Sequence, residues 1–268
     1  MKIKGNIQVT NLSYNPFNLK KDLKMKLKTI LLSTALLIVV GCNSDSNGKT
    51  DSESEENNQS APVNVTEALS TPRSTLTQDL KDSITYMYNE EKLAREIYLN
   101  LNEKQPLKQL YNIATKSEIK HEKAVNDLAV KYDLNITLYP DTQEPYDKKS
   151  IESYGSGEFS VVAIQELYDM LYDKGIQSEK DALEVGCMVE VIDVNDLNKY
   201  IKQAKDSNAL DVITIFDFLR KGSYNHYWAF DNGLKKNDVV DGCCSLGKEY
   251  CHPEYPQDEE ENKDNKHE

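Results

Sequence analysis

The chain has 268 residues, enough for one sizeable domain with tails. A net charge of −13 and a pI near 4.9 leave no basic stripe to meet phosphates, which excludes a nucleic-acid partner. The acidity is uneven: "DSESEENN" (51–58) and "DEEENKDNKHE" (258–268) carry much of it and read as solvated segments.

The first element in chain order is an address. "MKLKTILLSTALLIVVGC" (25–42) has a Lys-bearing head, an apolar run from Ile30 to Val40, and then Gly41-Cys42. The run is short for a bilayer span and has the layout of a secretory signal, with Met25 as its natural start. Its end, Val39-Val40-Gly41-Cys42, resembles the bacterial lipobox. That resemblance implies lipidation at Cys42, export, and anchoring to the cell envelope, so that the membrane is a partner. An ordinary signal peptide or a short anchor is the alternative. Residues 43–78 are rich in Ser, Asn, Asp, Glu and Pro and read as a disordered tether. The folded domain is expected over 79–236, with a Cys-containing acidic tail over 237–268.

Four long helices are predicted within that domain, and the class is therefore all-α. In the first, 79–103, steps of four and three align Leu80, Ile84, Met87, Glu91, Ala94, Tyr98 and Leu101. This is the apolar seam that helical bundles bury, interrupted by one charge at Glu91. Glu90 falls outside it. The second, 107–132, aligns Leu110, Ala114, Glu118, His121, Val125 and Leu128. The long connection 133–177 holds Pro140, Pro145 and "GSG" (155–157), then a short helix in "FSVVAIQELYDMLYDKG". The third long helix, 178–205, aligns Leu183, Gly186, Glu190, Asp193, Leu197 and Tyr200. Its "VEVIDV" is rich in β-branched residues and could pass for a strand, but the pattern runs too long for one. The fourth, 209–234, aligns Val212, Phe216, Leu219, Ser223, His226 and Phe230, with Asn208 or Ser207 as a cap and Gly233 near its end.

Each seam is thus interrupted near its middle by polar groups. One buried His is usually a satisfied core residue, and one Glu is often an edge residue reaching for water. Four coincident interruptions are different. A buried charge without compensation costs several kcal/mol, and several would rival a domain's stability of about 5–15 kcal/mol. Lys and Arg are mostly absent from the seams. Two divalent ions would balance Glu91, Glu118, Glu190 and Asp193, and carboxylates with neutral imidazoles at His121 and His226 suit iron or manganese, zinc less distinctively.

The same residues carry a family resemblance. "EKLAREIY" (91–98), the intact Glu-x-x-His of "EIKH" (118–121), and the spacing from Glu190 to the fourth-helix motif resemble ferritin-like di-iron proteins. More narrowly, "EEKLAREIY", "SEIKHEKAV" and "LRKGSYNHYWAF" look like a bacterial and archaeal ferritin-like family of unknown function. The resemblance implies a four-helix bundle with a long crossover between helices two and three. It implies a di-iron site at Glu91, Glu118, His121, Glu190 and His226, and oxidase, peroxidase or ferroxidase chemistry with an external electron donor. A redox role for Tyr98 also rests on it. It leaves room for a homodimer. One position departs: the fourth motif is Ser223-Tyr224-Asn225-His226, with serine where the family pattern has a bridging carboxylate. Asp193, one turn after Glu190, is expected to supply the missing charge beside His226. The rival readings are a metal-binding or stress-related lipoprotein without turnover, and a structural bundle whose polar groups pair through water.

Among the other cysteines, Cys187 sits beside the third seam and reads as plain core. Cys243, Cys244 and Cys251 lie beyond the bundle with His252 adjacent. In an exported protein they favour a disulfide over a zinc site, with the pairing open. Arg95 and Arg220 are either partners of the inward carboxylates or surface ion pairs.

Overall fold

A computed structural model describes residues 62–142 and 154–257. The signal segment with Cys42, residues 43–61, Pro145 and the 258–268 run lie outside the described residues.

Among the described residues seven α-helices follow one another: α1 (Val63–Ser70), α2 (Gln78–Lys104), α3 (Lys108–Ile113), α4 (Ile119–Lys131), α5 (Val162–Gly175), α6 (Glu179–Asp206) and α7 (Leu210–Lys236). A π-helical turn, Ala114–Glu118, joins α3 to α4, and two 3-10 turns, Gly242–Leu246 and Lys248–Tyr250, follow α7. No strand occurs among the described residues, so the fold is all-α, and "VEVIDV" is helical.

Local chemistry explains the starts. Thr77 accepts a hydrogen bond from the Leu80 N–H at 3.2 Å and caps α2. Ser178 caps α6, accepting from the Asp181 N–H at 3.0 Å while its own hydroxyl donates to Asp181. The expected cap on α7 is not made. Ala209 holds that position, and Asn208 instead takes a left-handed φ of 51° to turn the chain between α6 and α7. Nor does Gly233 end α7, which continues to Lys236.

α6 and α7 pack along each other, α2 packs on α4, α5 and α6, and α1 packs on α7 and α4. Two features depart from a simple set of amphipathic helices. Ser83 to Ala94 of α2 and Ala182 to Val194 of α6 are buried on every side. The crossover covers the outer face of α2. Asn89 donates to the Ile136 carbonyl at 2.8 Å, Tyr139 packs on Tyr86, and Lys92 donates to the Glu158 carbonyl at 3.1 Å. This is why Glu90, off the predicted seam, is only 2 % exposed.

The folded region is also longer than 79–236. α1 lies in the stretch read as tether, yet Val65 is fully buried. Asp211 fastens this N-terminal arm: Ser74 Oγ donates to it at 2.9 Å, Tyr132 at 2.6 Å, and Lys131 Nζ lies 2.6 Å away. Beyond α7, residues 237–257 fold back on the bundle. Tyr227 donates to the Tyr250 carbonyl and accepts from the His252 N–H, each at 3.0 Å, and Trp228 Nε1 donates to the Tyr255 carbonyl at 3.1 Å.

Disulfides reinforce this return. Cys244 pairs with Cys251, as a bond within the trio predicts, but Cys243 pairs with Cys187 of α6. The reading of Cys187 as plain core is therefore corrected. It is fully buried, and its sulfur is bonded to the returning chain.

Candidate metal centre

Six polar residues meet in the middle of the bundle. α2 contributes Glu91, the π-turn Glu118, α4 His121, α6 Glu190 and Asp193, and α7 His226, each at most 6 % exposed. Ser223, a turn before His226, is buried with them.

Glu118 is central. Its Oε2 lies 2.8 Å from His121 Nδ1 and its Oε1 2.8 Å from His226 Nδ1. The remaining carboxylates flank the imidazoles, with Glu91 Oε2 3.4 Å from His121 Nδ1 and Glu190 Oε1 3.5 Å from His226 Nδ1. One ligand atom from each of Glu118, His121 and His226 falls within 4.8 Å of the others, a spacing that a single ion could span. Tyr98 donates to Glu190 Oε1 at 2.5 Å, and its ring packs on Phe230.

Asp193 lies buried on α6, one turn after Glu190. It accepts from the Ser223 hydroxyl, and the charges that act on it most are Glu91 and Glu90. The arginines stay out. Arg95 Nε bonds Glu122 at 2.5 Å, and Arg220 bonds Asp217 and, at 2.6 Å, Asn198.

With no lysine or arginine paired to these carboxylates, protons take up the charge. Burial pushes Glu91 up to about 8, against the pull of His121. Burial and the Glu91 and Glu90 charges push Asp193 well above the carboxylate range, and burial raises Glu190. Burial would also raise Glu118, but His226 and His121 outweigh it and hold Glu118 well below that range. Burial works against charge on both imidazoles, yet Glu118 and Glu91 lift His121 to about 9, and Glu118 and Glu190 lift His226 well above its ordinary value.

Three buried polar atoms in this cluster have no hydrogen-bond partner: Glu91 Oε1, Asp193 Oδ1 and His226 Nδ1. The last lies close to Glu118 but is not aligned with it. Buried polar atoms are ordinarily satisfied, so these three fit a site built for a cation.

Two features escaped sequence reasoning. Ser117, in the π-turn, lies 2.8 Å from His226 Nε2 through its hydroxyl oxygen. Gly222 lets α7 approach His121. A Cβ there would lie 2.2 Å from His121 Cε1 and 2.3 Å from Nε2, and Phe218 meets the same ring edge-on. Neither the π-turn nor a close approach of backbone to a ring leaves a periodic signal.

A family model described as an uncharacterized protein domain (DUF2202) matches residues 80–248, spanning the site from α2 to beyond Cys243 and Cys244 of the returning chain. The chain belongs to this family. It is also similar to uncharacterized protein MJ0754 of Methanocaldococcus jannaschii, at 38% identity over 161 residues, which is 60% of this chain and 78% of that protein. A crystal structure of hypothetical protein MJ0754 aligns with a TM-score of 0.53 at 36% identity, covering 63% of this chain and 87% of the other. The matched residues include all six polar residues of the site.

Proposed function

We propose that this is an exported, lipid-anchored protein of the ferritin-like superfamily that holds two divalent ions, iron foremost, among its four long helical segments. Its reaction would be oxidation of Fe(II), or reduction of dioxygen or peroxide at the expense of an external electron donor. The observation that carries the reading is Glu118, buried with one imidazole 2.8 Å from each of its oxygens.

In this reading Glu118 lies between two half-sites. Glu91 and His121 serve one, Glu190 and His226 the other, and Asp193 adds charge where Ser223 replaces a carboxylate. Bound iron would supply the one-electron chemistry that side chains lack. The chain's own contribution is geometry, exclusion of water, and charge. Its four carboxylates balance the cations, Tyr98 holds Glu190 by its hydroxyl, and the ligands' burial limits any reactant to something as small as dioxygen, peroxide or an ion. Manganese or zinc would fit the same donor set. The lipobox resemblance at Val39-Val40-Gly41-Cys42 and the two disulfides support an oxidising, extracytoplasmic setting.

The second reading, a metal-holding lipoprotein without turnover, is favoured by that same burial. Anaerobic loading with Fe(II), followed by peroxide or air, separates the two. The proposal expects iron-dependent oxidation at many turnovers per chain, abolished in Glu118→Gln. Tight iron binding without turnover would establish the second reading. For the address, Cys42→Ala should release the protein from the membrane fraction, and a membrane-bound variant would count against lipidation.

A further inference from the structure

We infer that Ser117 is a positioning residue that determines which nitrogen of His226 faces the metal. The inference rests on the reading of the site as a metal centre and adds to it a residue outside the ligand set.

The two nitrogens of His226 meet different surroundings. Nε2 lies 2.8 Å from Ser117 Oγ. Nδ1 lies 2.8 Å from Glu118 Oε1 and 3.5 Å from Glu190 Oε1, yet makes an aligned hydrogen bond with neither. A ring nitrogen aimed past two carboxylate oxygens is suited to a cation that those oxygens share. A ligating imidazole ordinarily donates its other N–H to a fixed acceptor, which sets the tautomer and the ring's orientation. Ser117 Oγ stands where that acceptor is needed, and it is the hydrogen-bond partner of Nε2.

The backbone explains how one imidazole comes to be held from both sides by neighbouring residues. Ser117 and Glu118 are consecutive, and in an ordinary α-helix consecutive side chains diverge. Both lie in the π-helical turn Ala114–Glu118, whose wider winding brings neighbours closer in angle. Ser117 therefore reaches Nε2 while Glu118 reaches Nδ1. π-Turns of this kind recur at functional sites. Here the turn delivers a ligand and its partner's support from adjacent positions.

The test uses the full chain and Zn(II) alone, which is diamagnetic. In the zinc-loaded parent, nitrogen-15 NMR should show His226 Nδ1 shifted by coordination and Nε2 carrying a proton protected from exchange. Ser117→Ala should keep the fold, since alanine favours helix, but weaken zinc binding about tenfold or more and expose the Nε2 proton to exchange. Ser117→Thr, which keeps the hydroxyl, should restore both. Unchanged affinity and an unchanged Nε2 proton in Ser117→Ala would overturn the role of Ser117 alone. Failure of the parent to bind zinc would overturn the metal reading with it.

Discussion

The Ser223 hydroxyl donates to the Asp193 carboxylate in the buried middle of the bundle, tying α7 to α6 at the position where this chain departs from the ferritin-like pattern that it resembles. Serine brings no charge, but it brings a donor, and the carboxylate it holds is one turn from Glu190. In the proposed site, Asp193 on the opposite helix would supply the missing charge. Asp193→Asn is expected to lower the metal content from two ions per chain toward one. Ser223→Glu in that background should restore it, whereas in the parent it adds a fifth carboxylate to a balanced set. Full metal content in Asp193→Asn would show that Asp193 holds Ser223 and nothing more.

pH should act on the metal-free chain in a defined direction. His121 is raised to about 9 from an ordinary 6.5, so the charge it gains stabilises the fold below the ordinary value and is lost as pH rises through about 9. Glu91 is raised from 4.5 to about 8, so over that window the folded chain keeps a proton that the unfolded chain has released, and stability falls as pH rises. Both run the same way. In chelator, Tm should decrease from about pH 6 to about pH 9. Bound metal would replace the protons, so a loaded chain should lose less over that range. A Tm that rises with pH in chelator would contradict the charge assignment.

Gly222 offers a test in which two effects oppose. Gly→Ala inside a helix ordinarily gains about 1 kcal/mol. Here the new Cβ would lie 2.2 Å from the His121 ring, and forcing that displacement costs about 1–3 kcal/mol. Gly222→Ala is expected to lower or leave unchanged the thermal stability, and to weaken metal binding by about tenfold because a ligand is turned away. A clean stabilisation with unchanged metal content would mean that His121 has room to move.

The two disulfides should differ in weight. Cys187–Cys243 closes a separation of 56 residues and Cys244–Cys251 one of 7. Loop-closure entropy gives about 4 kcal/mol for the first and about 2 kcal/mol for the second. Cys243→Ser with Cys187→Ala should therefore lower stability about twice as much as the Cys244, Cys251 pair of substitutions, read by denaturant unfolding. Equal losses would show that the returning chain is held by Tyr227 and Trp228 rather than by the bond to α6.

What the sequence made legible follows from what periodicity can carry. Glu91, Glu118, His121, Glu190 and His226 were visible because each breaks an otherwise apolar seam, and the structure buries them together. Glu90 shows the limit. Periodicity assigns one buried face, but the crossover covers the other face of α2, and that cover comes from residues 47 and 66 positions away, as Asn89 to Ile136 and Lys92 to Glu158 show. Cys187 was misread for the same reason, its partner lying beyond α7. α1 was hidden because an eight-residue helix with only Val65 and Ala68 buried leaves too faint a pattern in a polar stretch.

The central claim is that the buried carboxylates and imidazoles around Glu118 exist to hold metal. Elemental analysis of the purified full chain, after anaerobic loading with Fe(II) and removal of free iron, tests it most directly. Two ions per chain are expected, with that content largely lost in Glu118→Gln. A chain that retains no iron, manganese or zinc, or that retains the same amount after Glu118→Gln, would contradict it.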